Sequence, residues 1–148
     1  MKKELSTAID VIREAGLLTT ELLGNRAKSS QKSNGDILSE ADILVNKLLK
    51  VKLNNAFPDY GWLSEETMDS TERLSKEYVW IIDPIDGTRE FVEGIPEYVI
   101  CIALVKNGIP IIGVQYNPTL DQLFAGIQNG GAFLNGKRIF CSDCRDLS

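Results

Sequence analysis

The chain contains no histidine, and that absence removes more chemistry than any single residue present supplies. Ser-His-Asp and Cys-His hydrolases, histidine phosphatases, H-E-x-x-H zinc proteases and imidazole-held zinc or iron all need the missing ring. Any metal chemistry must therefore use oxygen or sulfur ligands. Sulfur is scarce as well: the cysteines are Cys101, Cys141 and Cys144. Cys101 lies in an apolar run and reads as an inert core thiol. Cys141-x-x-Cys144 has redox or half-zinc spacing, but no second pair completes a zinc site and no strand-to-helix context surrounds it. No apolar run reaches the ~18 residues of a membrane span, and no unbroken apolar stretch of ~7–15 residues follows Met1-Lys2-Lys3-Glu4 as a secretory signal requires. The expected address is cytoplasmic, with no membrane partner. No basic stripe is visible in a chain of net charge −5, which argues against a nucleic acid polymer as partner. An acidic protein still binds a phosphorylated small molecule when bound cations reverse the local field.

What is present fits an ordinary folded domain. The 148 residues, 43% hydrophobic and 25% charged, suffice for one domain with a real core, spanning 1–148. Leu5, Ala8, Ile9, Ile12, Ala15, Leu18 and Leu22 recur at three- and four-residue steps, which predicts an amphipathic helix over 4–23. Residues 25–37 are polar and turn-rich and read as a loop or hairpin. Their basic residues are either solvated or form a flap carrying Lys28 or Lys32 toward an anionic ligand. Ser39-x-x-Asp42 resembles a capping box and opens a second helix over about 39–56, with Ala41, Val45, Leu48, Leu49 and Leu53 on its apolar face. Tyr60 to Ser64 reads as a short strand ending at Glu65-Glu66, and 67–77 as a polar connection. Apolar β-rich runs then follow at Tyr98–Val105, Ile109–Gln115 and Leu120–Ile127, with a short hairpin after Gly131. Asn107-Gly108 and Asn135-Gly136 are hairpin turn signals. The expected class is α+β: two N-terminal helices packed on one face of a largely antiparallel sheet.

The chemistry concentrates in Trp80 to Val92, W-I-I-D-P-I-D-G-T-R-E-F-V. Val79 to Ile82 reads as a buried strand ending at Asp83, because Pro84 forbids its continuation as a central paired strand. Asp86 follows, Gly87 permits an unusual backbone conformation, and Thr88 opens a short helix. Carboxylates at a strand end beside a helix start suit a hard cation and a phosphate. Asp42 and Glu65-Glu66 add acidic points. Alone, each has a plain reading, as a helix N-terminal acid, a solvated turn or turn chemistry; together they are harder to set aside. Magnesium wants oxygen ligands and is usually held by few carboxylates plus a substrate phosphate.

D-P-I-D-G-T at 83–88, preceded by Trp80-Ile81-Ile82, resembles the signature of the inositol monophosphatase superfamily. The resemblance extends through Ser39-Glu40-Ala41-Asp42, Leu63-Ser64-Glu65-Glu66, Gly113 to Pro118 and Gly130 to Gly136, in order along nearly the whole chain. It implies the first half of a layered αβαβα sugar-phosphatase fold and a magnesium-dependent, lithium-sensitive phosphomonoesterase. The implied reaction is direct attack of metal-activated water on a small phosphorylated alcohol such as inositol phosphate, without a phosphoenzyme. Glu65, Asp83 and the carbonyl of Ile85 would hold one Mg2+, Asp83 and Asp86 a second, and Glu65 with Glu66 a weaker third. Thr88, oriented by Asp42, would position the water, and the Gly87 and Thr88 amides would meet the phosphate. Haloacid dehalogenase-type phosphatases, with D-x-D-G-T, are set aside because their nucleophile position is Pro84 here.

Some features depart from that family or leave choices open. The family's second α/β half, with a further aspartate for the second metal, has no counterpart after Phe140. The second site is therefore expected to be weak and this chain alone to have low activity. Exposed apolar surface would favour a homodimer or other self-association. Thr88-Arg89-Glu90-Phe91 resembles the bisphosphate nucleotidase branch, acting on phosphoadenosine phosphate. Phe91 to Pro96 instead resembles the inositol and histidinol phosphatase branches. A non-catalytic remnant that keeps the fold is the remaining alternative.

Overall fold

The computed structural model describes residues 1–24, 29–31 and 37–143. Helix α1 (Lys2–Gly24) and helix α2 (Glu40–Ala56) lie side by side on one face of a seven-stranded sheet. The strands are β3 (Gly61–Ser64), β4 (Tyr78–Asp86), β5 (Val99–Lys106), β6 (Ile109–Asn117), β7 (Gln122–Ile127), β8 (Gly131–Leu134) and β9 (Lys137–Ile139), adjacent in that order. Before α2, β1 (Ser29–Gln31) and β2 (Ile37–Ser39) form a separate antiparallel pair. Lys28 and Lys32, the candidates for a flap, lie outside the described residues.

The helix spacing dictates the core. Ala8, Ile12 and Ala15 on α1 and Ala41, Val45, Leu49 and Leu53 on α2 are fully buried, the three- and four-residue steps of one helix face. They meet the alternate strand residues Trp80, Ile82, Ile100, Ile102, Leu104, Ile112 and Val114. At Gly16 helix α1 comes so close to the sheet that an added Cβ would stand 2.5 Å from the Tyr116 ring. Tyr98 buries its ring there and donates from its hydroxyl to Thr19 Oγ1 at 3.1 Å.

Hairpins join β5 to β6 and β8 to β9 through Asn107-Gly108 and Asn135-Gly136. All four of these residues have positive φ, the backbone that matches the twist of two-residue hairpins. The remaining connections differ from expectation in detail. The polar link contains a 3-10 turn, Thr71–Ser75. The strand expected from Leu120 starts at Gln122, because Asp121 adopts φ 48° in the turn before it.

Two differences from the sequence reading bear on the site. First, β3 and β4 run parallel in an otherwise antiparallel sheet. Second, β4 does not stop at Asp83. It continues through Pro84 to Asp86, pairing Asp83 with Cys101 and then Asp86 with Val99, with a register shift between. Pro84 and Ile85 occupy that irregularity, so the missing N–H of Pro84 falls where the ladder asks for no donor. Strand β3 has already ended opposite Ile82, so Pro84 faces no neighbour on that side either.

Candidate metal and phosphate site

Strand β4 supplies the base of the site. In the pleat, Val79, Ile81 and Asp83 share the face away from the helices, while Trp80 and Ile82 enter the core. The parallel register Ser64↔Ile82 then brings the next residues together: Glu65 leaves β3 beside Asp83 on β4. Two acidic strand ends thus meet at the one parallel edge among the described strands. Past the irregularity, Ile85 is buried and Asp86 exposed. Gly87 has φ 91°, and a Cβ on it would lie 2.8 Å from the Glu97 carbonyl oxygen. Both the backbone angle and the space require glycine. Helix α3 (Thr88–Glu93) begins directly after it.

Helix α2 supplies the opposite wall. Asp42, in its first turn, is fully buried, and carboxylate oxygens of Asp42, Glu65 and Glu66 all lie within 4.8 Å of one another. The Thr88 hydroxyl lies 3.0 Å from the Ile85 carbonyl oxygen and 3.3 Å from Asp42 Oδ1. Its single proton serves one of these acceptors at a time. Helix, strand end and the D-G-T turn are joined at this hydroxyl.

The electrostatics are those of crowded carboxyl groups. Burial, then the neighbouring Glu65, then Asp86 and Asp42 push the Asp83 carboxyl up to about 7. Two like charges 4 Å apart cost about 4 kcal/mol at an effective dielectric of 20, so carboxylates this close call for a cation or a proton. Asp83 Oδ1 is buried with no hydrogen-bond partner among the described residues, which leaves a lone pair available for coordination. The candidate donors are all oxygens, from carboxylates and the Ile85 carbonyl, the preference of hard divalent cations. The residues therefore fit such an ion. Cys101, paired with Asp83 across the ladder, does not compete as a thiolate. It is half-buried on the sheet's outer face rather than in the helix-covered core, and burial followed by Asp83 pushes its thiol up to about 12. Cys141 is exposed as a free thiol, and Cys144 lies outside the described residues.

The structure brings Asp42, Glu65, Glu66, Asp83, Ile85, Asp86, Gly87 and Thr88 into one region. Reading the sequence residue by residue missed the support beneath them. Asn46 and Ser64 are both buried and hydrogen-bonded to each other behind the acidic turn. The signal was available, since Asn46 stands four residues after Asp42, on the same helix face, yet a lone asparagine in a helix draws no attention by itself.

The fold thus gathers a cluster of carboxylates at paired strand ends, beside a glycine turn and a threonine, with the donor chemistry of a divalent-cation site. A sequence model of the inositol monophosphatase family matches residues 1–148, and the chain belongs to that family. It is similar to inositol monophosphatase 1 of Solanum lycopersicum, at 35% identity over 99% of this chain and 55% of that protein. An IMPase from Thermotoga maritima shares the fold with a TM-score of 0.88 and 33% identity, over 97% of this chain and 55% of the other. A structure of an IMPase/NADP phosphatase complexed with Mg2+ and phosphate is similar at 27% identity and a TM-score of 0.73, over 80% of this chain and 46% of that one. The chain spans about half the length of the relatives it matches.

Proposed function

We propose that the chain carries the metal-binding half of a magnesium-dependent phosphomonoesterase acting on a small phosphorylated alcohol, inositol phosphate being the type. The observation that carries this reading is the parallel β3–β4 register, which sets Glu65 beside Asp83 while α2 holds Asp42 against Thr88. Glu65, Asp83, Asp86 and the Ile85 carbonyl would hold Mg2+, with Glu66 beside them for a further ion. When bound, the cation supplies Lewis-acid stabilisation of phosphate charge and makes water a better nucleophile. The chain's own groups do the rest. Asp42 accepts the Thr88 hydroxyl proton, leaving the Thr88 oxygen lone pairs to orient a water. The Gly87 and Thr88 amides, at the start of α3, would meet phosphate oxygens. Arg89 leans on Glu93 at 3.0 Å on an exposed face, which supports a solvated surface pair rather than a nucleotide contact and favours inositol phosphate over phosphoadenosine phosphate.

The relatives contain about as much chain again, so full turnover would need residues beyond those matched here, and a cytoplasmic enzyme that self-associates through its uncovered sheet face is part of the same proposal. Calorimetric titration with Mg2+, alongside phosphate release from inositol phosphate and phosphoadenosine phosphate, tests it. The expected result is divalent binding that Asp83→Asn abolishes, and slow release that prefers inositol phosphate. Absence of any divalent binding by the parent chain would sink the metal reading. Turnover equal to that of a version extended by a relative's remaining half would sink the dependence on further chain.

A further inference from the structure

Behind the acidic turn lies a small polar network that no catalytic role accounts for. Ser64 Oγ donates to Asn46 Oδ1 at 2.9 Å, and Asn46 Nδ2 donates to Thr67 Oγ1 at 2.8 Å. The Glu66 amide donates to Ser64 Oγ at 3.3 Å, and the Thr67 amide closes the turn on the Ser64 carbonyl at 3.2 Å. Ser64 Oγ thus accepts the Glu66 N–H while donating to Asn46, and the Asn46 amide nitrogen faces Thr67. Asn46 and Ser64 are 8% and 4% exposed, so the bond between them is shielded from water and costly to leave unmade, while those to Glu66 and Thr67 are partly buried.

We propose that Asn46 is a positioning residue for the cation site: its side-chain amide clamps both ends of the Ser64–Thr67 turn and so sets where Glu65 and Glu66 stand relative to Asp42. The inference rests on the metal reading above. Asp42 and Asn46 are four residues apart on one rigid helix, so a single element places the Thr88-bound carboxylate and the turn that carries the acidic pair. Its amide is also neutral, which matters beside three carboxylates. Leucine would leave Ser64 and Thr67 unpaired. Aspartate would accept from both the Ser64 and the Thr67 hydroxyls, but would add a charge beside Asp42, Glu65 and Glu66, which already crowd within 4.8 Å.

The test uses the whole chain with Mn2+ as the probe, bound ion being read by electron spin resonance, and amide hydrogen exchange in the metal-free chain. Asn46→Ala and Thr67→Val should each weaken Mn2+ about tenfold, the usual scale for outer-shell partners, and speed exchange at the Glu66 and Thr67 amides while Asp86 and Val99 are unchanged. Thr67→Ser, which keeps the acceptor, should stay within about twofold of the parent. A residue that merely stabilises the fold would lower the melting temperature and leave the affinity of the folded chain alone. Parent-like Mn2+ affinity in folded Asn46→Ala, or in Thr67→Val should the first variant not fold, overturns the proposal. A parent chain that binds no Mn2+ overturns the metal reading instead. The exchange arm then still decides whether Asn46 holds the turn, and unchanged exchange at Glu66 and Thr67 defeats that as well.

Discussion

The two faces of the seven-stranded sheet are built from the same strands and differ in size rather than polarity. On the helix-covered face stand Trp80, Ile82, Ile100, Ile102, Leu104 and Ile112, all nearly inaccessible. On the outer face the alternate positions are Ile81, Cys101, Ala103, Gly113, Gln115, Phe124, Ala132 and Ile139, and several line a shallow depression of about 460 Å3. An antiparallel sheet with one wet face normally alternates apolar with polar. Here the outer face stays mostly apolar, with Ile81, Phe124 and Ile139 each 37% exposed. Its small residues leave room for something to approach closely. The covered face holds the domain together; the outer one stays accessible among the described residues. The site lies where the two meet, taking Asp42 from the helix layer and Asp83 from the outer face.

The sharpest way to break this contrast is to cut the same strand pattern on both sides. Leu104→Ala on the covered face should cost about 2–5 kcal/mol, as for other fully buried leucines, read as a lowered urea midpoint. Phe124→Ala on the outer face should cost roughly 1 kcal/mol or less. Equal losses would mean that the outer face is buried in solution in a way the isolated chain does not show.

Charge on the outer face addresses the same point through association. Phe124→Lys combined with Ile139→Glu should convert self-associated chain to monomer in sedimentation velocity with little change in melting temperature. A parent chain that is already a clean monomer at high concentration would remove the proposed role of that face in self-association.

The site where the faces meet should announce itself through pH. The Asp83 carboxyl is raised to about 7 in the folded metal-free chain, against an ordinary value near ~3.9 unfolded. Between those values the folded state holds a proton that the unfolded state has lost, so stability falls as pH rises through that window. Metal-free chain should therefore melt at a higher temperature at pH 5.5 than at pH 8, other groups being equal. Asp83→Asn should flatten that trend. Added Mg2+ should restore stability most at the higher pH, where the proton no longer competes for the carboxylate. A trend that survives Asp83→Asn unchanged would assign it to other carboxylates.

The smallest effect belongs to the exposed ion pairs. Arg89→Ala removes the contact with Glu93 on a helix face open to water, and should change stability by about 0.5 kcal/mol or less. It should also leave any preference between inositol phosphate and phosphoadenosine phosphate as it was. A marked loss of nucleotide hydrolysis would return Arg89 to the site.

How much of this was legible in the sequence follows from which interactions are local. Helix periodicity in Ala8, Ile12, Ala15 and in Val45, Leu49, Leu53 required only neighbours three and four residues apart. The Asn-Gly pairs announced their hairpins because few other residues accept positive φ. The absence of histidine confined metal chemistry to oxygen and sulfur, and D-P-I-D-G-T with the upstream Ser-Glu-Glu pointed to the family. Other features depended on contacts distant in the chain. The order Tyr60–Ser64 then Tyr78–Asp86 does not say that those strands run parallel, and only that pairing sets Glu65 beside Asp83. Pro84 argued locally for a strand end, whereas the finished sheet absorbs it in an irregularity where no donor is needed. Asn46 looked like an ordinary helix residue until folding brought Ser64 and Thr67 to it from across the connection. The sequence by itself determined the helices, the turns and the identity of the acids, since these rest on backbone preference and side-chain chemistry. Tertiary structure decided strand direction, the meeting of the acids and the network behind them, because each depends on register between segments that are far apart in the chain and close only after folding.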